Sequence, residues 1–156
     1  MYEFLEETVQ DNMTGTRTVA PETTVSDLLR LFATDDADAY PVTSRARLVG
    51  IVSKADALKA FGLRPAEMIP HYDDLLGTTV DEVMTRQVVC VDPSTPLQRV
   101  LHLMVEHHFK SIPVLEDDNC LLGVVRRDDV IRALIRRTGH RPLPLIAPAA
   151  GCYATA

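Results

Sequence analysis

The stretch Gly50-Ile51-Val52-Ser53-Lys54-Ala55-Asp56 decides the fold, because a variant of it returns as Gly123-Val124-Val125-Arg126-Arg127-Asp128-Asp129. From position 50 to position 123 the offset is 73 residues. Residues 8–14 (Thr-Val-Gln-Asp-Asn-Met-Thr) likewise return as residues 79–85 (Thr-Val-Asp-Glu-Val-Met-Thr), at an offset of 71. Self-similarity of this kind indicates two copies of one folding unit that pack against each other.

Each copy contains a stretch of helical period. Apolar residues at i, i+3, i+4 and i+7 form one face of a helix. These positions hold Val25, Leu28, Leu29 and Phe32 in the first copy and, 72 residues later, Leu97, Val100, Leu101 and Met104 in the second. Thr95 followed by Pro96 predicts that the second of these helices is capped by Thr95 and has proline at its first position.

Short extended segments and a second helix complete each copy. The first copy opens with an extended segment at residues 18–20. Alternation and turn residues predict strands over residues 39–42, 48–52, 111–115 and 121–125. Second helices follow over residues 53–61 and 126–137. The order predicts a mixed fold of class α/β (α+β), made of two βαββα repeats.

The repeat also sets the expected domain organisation. We expect a first unit over residues 8–61, a linker over 62–78 and a second unit over 79–137. Residues 138–156 are rich in proline and alanine and have no period. We expect this tail to be flexible, because such a segment buries too little apolar surface to order itself.

Charge and hydropathy argue against several classes of protein. A net charge of −6 leaves little basic surface for phosphates, which argues against a nucleic-acid partner. No apolar run approaches the ~20 residues that span a bilayer, which argues against a membrane protein. The first seven residues are acidic and do not resemble a signal peptide. We therefore expect a cytoplasmic protein.

The cysteines and histidines predict no metal site. Three widely spaced cysteines form neither a disulfide framework nor a zinc motif. His102, His107 and His108 do not fall at the i, i+4 spacing that would place two ligands on one helix face.

Ser53 and Asp56 are the first candidates for a functional site. They lie where a strand meets a helix, and the free N–H groups of a helix start attract anions. The Ser53 hydroxyl suits a phosphate oxygen, and the Asp56 carboxylate, one turn later, suits the two hydroxyls of a ribose. The alternative is that the two residues only form a local capping pair.

The second copy keeps the carboxylate and changes the hydroxyl. Asp129 corresponds to Asp56, but Arg126 stands in the place of Ser53. Arg126 and Arg127 suit phosphate oxygens through charge-assisted bonds. The alternative is an exposed helix face on which the arginines contribute little.

Several short motifs recur in the same order in both copies. Met-Thr occurs at 13–14 and 84–85, Pro-Val at 41–42 and 113–114, and the stretches from Gly50 and Gly123 follow. In this order and duplication they resemble the CBS domain pairs, regulatory modules first recognised in cystathionine beta-synthase. The resemblance covers residues 8–61 and 79–137.

The resemblance implies two units related by a pseudo-twofold axis, with facing sheets and two clefts for adenosine-containing ligands. In the first cleft it implies that Ser53 contacts phosphate and Asp56 contacts ribose, framed by Thr16 and by backbone near Tyr40 and Pro41. In the second it implies a ribose contact from Asp129 and a lining of Val88, Ser111, Ile112 and Pro113. Arg126 departs from the hydroxyl that the family carries there, so we expect two unequal clefts.

The leading hypothesis is a regulatory module that binds AMP, ADP, ATP or S-adenosylmethionine. We expect no obligatory cofactor and no enzymatic activity, because no nucleophile recurs with a base at catalytic spacing. We also expect a homodimer that signals to a separate, unidentified effector protein. The alternative is a ligand-free dimerisation and interaction module that acts through its surface or its tail.

Overall fold

The computed structural model describes residues 6–61 and 76–138. The first half contains α1 (Val25–Thr34), β1 (Ala39–Ser44), β2 (Arg47–Ser53) and α2 (Lys54–Lys59). The second half contains α3 (Val80–Val83), α4 (Leu97–Glu106), β3 (Ser111–Glu116), β4 (Cys120–Arg126) and α5 (Arg127–Thr138). The predicted mixed fold is confirmed. Most of the predicted linker and all but the first residue of the predicted tail lie outside the described residues.

The sheet consists of two antiparallel hairpins. β1 pairs with β2 and β3 with β4, and each hairpin has a register shift at the same repeat position, after Val42 and after Val114. Arg47 and Cys120 form the one pair that joins β2 to β4, which gives the order β1-β2-β4-β3. The hairpins therefore form a single sheet in the described chain, where the resemblance implied two facing sheets.

The first predicted strand is reduced to one bridge. Val19 pairs with Val42 in parallel, and Val91 does the same with Val114 in the second half. The extended segment stops there because a turn follows at once, in which the Thr23 N–H donates to the Ala20 carbonyl at 3.1 Å. The expectation of a strand over residues 18–20 was therefore too long.

Each half has its own apolar core, and each core is completed by the other half. Val9 is fully buried in the second core, among α4, β3 and β4. Val80 and Met84 are buried in the first core, among α1, β1 and β2. We call residues 8–14 and 79–85 the crossing segments, since each begins one half of the sequence and packs on the core of the other.

Backbone hydrogen bonds hold both crossing segments in place. Thr14 and Val124 exchange two bonds of 2.9 and 3.0 Å, and Thr85 and Ile51 exchange two of 2.8 and 2.9 Å. Residues 8 and 79 therefore begin the two repeats in the sequence. In the folded protein, the first segment of each repeat packs on the other repeat. Neither half buries its core without the other.

The start of α4 differs from the prediction by one residue. Pro96, with φ −64° and ψ 141°, is the N-cap, and it supplies no side-chain bond. The Thr95 hydroxyl instead accepts from the Asp92 N–H at 3.2 Å. The Leu97 N–H donates to the Glu7 carbonyl at 2.8 Å. The carbonyl of Glu7, next to a crossing segment, thus satisfies a donor at the start of α4 in place of the predicted Thr95 cap.

Among the described residues, no helix combines the length and the apolar content that crossing a membrane requires.

Gly50 and Gly123 allow the crossing segments to approach the sheet. A Cβ atom on Gly123 would lie 2.6 Å from the Thr14 carbonyl oxygen, which is backbone. On Gly50 it would lie 2.6 Å from the Met84 sulfur and 3.0 Å from the Thr85 carbonyl oxygen. A methionine side chain moves more easily than paired backbone.

Gly123→Ala should therefore lower the free energy of unfolding by about 1 to 3 kcal/mol, because the methyl group forces paired backbone apart. Gly50→Ala should cost less, since Met84 can repack. Gly15→Ala is the matched control, because no atom lies within 4 Å of its added carbon. Urea denaturation measures all three variants. Equal losses would contradict this account of the repeated glycine.

Candidate functional site

Two clefts share one wall. Asp38, Ala39, Lys110 and Ser111 line both of them. Cleft 1, of about 560 Å³, contains Ser53 and Asp56. Cleft 2, of about 410 Å³, contains Arg126. Both volumes fall in the range of small-molecule sites.

Cleft 1 combines a helix start from one half with a largely apolar wall. Ser53 and Asp56 come from the junction of β2 and α2 in the first half. Apolar residues from both halves line much of the remainder, namely Ile51, Leu58, Val88, Val89, Phe109 and Pro113. The cleft can therefore cover an apolar ring while it presents polar groups at one end.

The Ser53–Asp56 capping pair is present. The Asp56 N–H donates to the Ser53 hydroxyl at 3.1 Å. One Asp56 oxygen accepts from the Ser53 N–H at 3.0 Å and from its hydroxyl at 2.7 Å. The other accepts from the Lys59 ammonium at 2.9 Å. The capping pair that we considered as the alternative to a ligand site is thus formed. A ligand in cleft 1 would have to share Ser53 and Asp56 with this pair.

The charge state of Asp56 follows from this environment. Burial raises the pKa of the Asp56 carboxyl, but hydrogen bonds from Lys59 and Ser53 together outweigh burial and hold the pKa below its ordinary value of 3.8. The residue is 7% exposed. Asp56 is therefore an ionised, mostly covered acceptor at neutral pH.

Cleft 2 is more polar. Four cationic side chains line it, Lys110, Arg126, Arg127 and Arg132, together with three carboxylates, Asp36, Asp38 and Asp128. Arg126 keeps half of the capping pair, because its N–H donates to Asp129 at 2.7 Å. The guanidinium has replaced the hydroxyl, so this helix start presents a cation where cleft 1 presents Ser53.

Asp129 does not line cleft 2 within the described residues, contrary to expectation. It is 3% exposed. The Arg126 N–H binds one of its oxygens and the Arg132 guanidinium binds the other. Arg132 lines the cleft instead, so the expected ribose acceptor is covered by its own ion-pair partner.

The clefts also exchange the segments that we expected to frame them. Thr16, expected near Ser53, lines cleft 2 with Arg126. Val88 and Pro113, expected near Asp129, line cleft 1, and Ser111 lines both clefts. The reason is the crossing: the pairing of Thr14 with Val124 carries the following residues to the second half.

Tyr40, Pro41 and Ile112 are buried and do not line either described cleft, although their neighbours Ala39 and Ser111 do. The Tyr40 hydroxyl donates to Asp35 at 2.9 Å. Burial and this bond raise the pKa of Tyr40 to about 12. Ile112 packs in the second core. Successive side chains of a strand point to opposite faces, so Tyr40 and Ile112 point away from the clefts that Ala39 and Ser111 line.

Sequence reasoning missed Asp38 and Lys110. The Lys110 ammonium lies 2.8 Å from the Asp38 carboxylate. From position 38 to position 110 the offset is 72, so the two occupy one repeat position with opposite charges. A comparison of the copies for charge reversal, as well as for likeness, would have found this pair.

The histidines do not assemble with other ligands. Within residues 6–61 and 76–138, no three side chains of His, Cys, Asp or Glu cluster as a metal site would require. His102 lies 3.2 Å from Glu106, and His107 stacks on Phe109 at 5.2 Å between ring centroids. His108 lines cleft 1.

The family model for the CBS domain matches residues 12–63 and 80–136. The chain belongs to the CBS domain family. It is 28% identical over 152 residues to the uncharacterized protein MJ1426 of Methanocaldococcus jannaschii, covering 81% of this chain and 90% of that protein. CBSX1, a chloroplastic CBS domain-containing protein of Arabidopsis thaliana, is 29% identical, with 79% and 61% covered.

A solved relative contains a nucleotide. The crystal structure of CBSX2 in complex with AMP matches with a TM-score of 0.72 and 30% identity, over 84% of this chain and 98% of that one. The chain spans 43% of a second M. jannaschii relative, MJ0188, and 21% of an inosine-5'-monophosphate dehydrogenase from that organism. Sequence related to this chain therefore also occurs as a part of longer proteins.

The lowered pKa of Asp56 predicts a pH-dependent contribution to stability. Its folded pKa lies below the ordinary value of 3.8, so the bonds to Ser53 and Lys59 stabilise the fold above that value. This stability is lost as the pH falls through the lowered pKa. Below about pH 4 the free energy of unfolding should therefore fall more steeply for the wild type than for Asp56→Asn, whose amide does not titrate. Urea denaturation over a pH series measures both slopes, and equal slopes would contradict the assignment.

Proposed function

We propose that the protein is a regulatory module that binds an adenosine nucleotide in cleft 1. The observation that carries the proposal is the composition of this cleft: an ionised carboxylate and a hydroxyl at a helix start face an apolar wall. That arrangement suits the three parts of a nucleotide, because ribose hydroxyls need an acceptor, a phosphate needs donors and a purine ring needs apolar contact.

Each part has a candidate partner. Asp56 is ionised, and two of the three hydrogen bonds that its carboxylate accepts come from Ser53. The Ser53 hydroxyl can turn toward a phosphate while its N–H still binds Asp56. The Lys54 N–H is already used, since it donates to the Asp38 carbonyl at 3.0 Å. The Asp56 N–H is also used, since it donates to the Ser53 hydroxyl at 3.1 Å. The phosphate would therefore rely mainly on side-chain donors. Val88 and Pro113 offer apolar contact to the base.

The AMP complex of CBSX2 supports an adenosine ligand, since that relative shares 30% identity and the fold. AMP, ADP, ATP and S-adenosylmethionine are the candidate ligands, and we propose that none of them is an obligatory cofactor. We further propose that the chain works as a homodimer and passes the signal to a separate protein. Binding transmits a signal only if the ligand has different affinities for two arrangements of the halves or subunits.

Isothermal titration calorimetry with AMP tests the proposal. Asp56→Asn should weaken binding about tenfold or more, because a charged acceptor of ribose hydroxyls is lost. Asp27→Asn is the matched control. Asp27 stands at the same position in the first turn of α1, bonded to the hydroxyl of its N-cap Thr24, and does not line a described cleft. It should leave AMP affinity unchanged.

Two outcomes would contradict the proposal. Equal losses in both variants would mean that Asp56 acts only through helix capping. The absence of both heat and a thermal shift with all four candidates would leave the ligand-free interaction module as the function of the chain.

A further inference from the structure

The Asp38–Lys110 ion pair lies in the wall between the two clefts. The Lys110 ammonium nitrogen lies 2.8 Å from an Asp38 carboxylate oxygen. Both residues line both clefts. The two residues come from opposite halves and are in contact, so the pair lies where the two halves meet. A strictly symmetric chain would place two like charges there, whereas this chain places one cation and one anion.

The backbone holds both residues beside the helix starts. The Asp38 carbonyl accepts from the Lys54 N–H at 3.0 Å, in the first turn of α2. The Lys110 carbonyl accepts from the Arg127 N–H at 3.0 Å, in the first turn of α5. Each residue is thus tied to the helix start of its own half. The proposed function puts a phosphate at the helix start of cleft 1, and the cationic helix start of cleft 2 also suits one. Lys110 lines both clefts, so its ammonium lies beside both positions.

We propose that Lys110 is one phosphate-binding ammonium shared by the two clefts, so that a phosphate in one cleft weakens phosphate binding in the other. This inference rests on the proposed function and adds a regulation of the same site.

The side chains permit this exchange. The Lys110 side chain is 60% exposed and that of Asp38 is 50% exposed, so the ammonium is not locked in place. Lysine is a flexible point charge that can turn from a carboxylate to a phosphate oxygen. The move would leave Asp38 without its partner. Since Asp38 also lines the other cleft, its carboxylate would then repel a second phosphate.

The experiment compares AMP with adenosine, which lacks the phosphate, by calorimetry on the full chain. In the wild type, the ratio between the weaker and the tighter dissociation constant should be at least about fivefold larger for AMP than for adenosine. Lys110→Met should weaken AMP binding in both clefts by about tenfold, because one charge-assisted bond to the phosphate is lost, and should leave adenosine affinity unchanged. Asp38→Asn should tighten the weaker AMP site, because no carboxylate remains to repel it.

Asp118→Asn is the matched control. Asp118 forms another exposed ion pair between the halves, with Arg47 at 3.7 Å, and lines neither described cleft. Asparagine also accepts its positive φ of 60°. This variant should behave as the wild type with both ligands.

The outcomes separate the two proposals. If Lys110→Met leaves AMP affinity unchanged in either cleft, or Asp38→Asn leaves the weaker AMP site unchanged, the shared ammonium is refuted while nucleotide binding stands. If the wild type binds neither AMP nor adenosine, the proposed function fails and this inference fails with it.

Discussion

The exchange of the crossing segments is the constraint on which the rest of the structure depends. Two backbone pairs, Thr14 with Val124 and Thr85 with Ile51, bring each segment against the sheet of the other half. The same exchange places Val9 and Val80 in cores that their own halves do not form. Glycine at 50 and 123 leaves the space that this approach needs. The two copies are consequently one cooperative body.

The exchange of the crossing segments also determines which residues line the clefts. Each is lined from both halves, so a ligand in either one would contact residues from both and would sense their relative position. The two clefts are also chemically different. Cleft 1 has a capping hydroxyl, an ionised Asp56 and apolar walls. Cleft 2 has Arg126 instead of the hydroxyl, and Asp129, the counterpart of Asp56, is covered by Arg132 and does not line it. Duplication thus produced a symmetric scaffold with unequal sites, and Asp38 and Lys110 connect them.

Local patterns were enough to predict the elements. The helix of residues 25–34, both hairpins and the strand-to-helix junctions at Ser53 and Arg126 follow from periodicity and turn residues, because these signals act over a few positions. The N-cap at Thr95 was wrong because the donor of Leu97 is satisfied by Glu7, far away in sequence. Contacts of that kind leave no trace in local spacing.

The sequence by itself determined that the chain contains two copies of one unit, which residue types stand at each helix start, and that the two starts differ. Only the tertiary structure decided which segments share a cleft: Thr16 joins Arg126, and Val88 joins Ser53. It also decided that Asp56 remains at a cleft while Asp129 is covered. The physical reason is that a repeat specifies equivalent positions within each copy, whereas the neighbours across the interface depend on long-range backbone pairing between the copies.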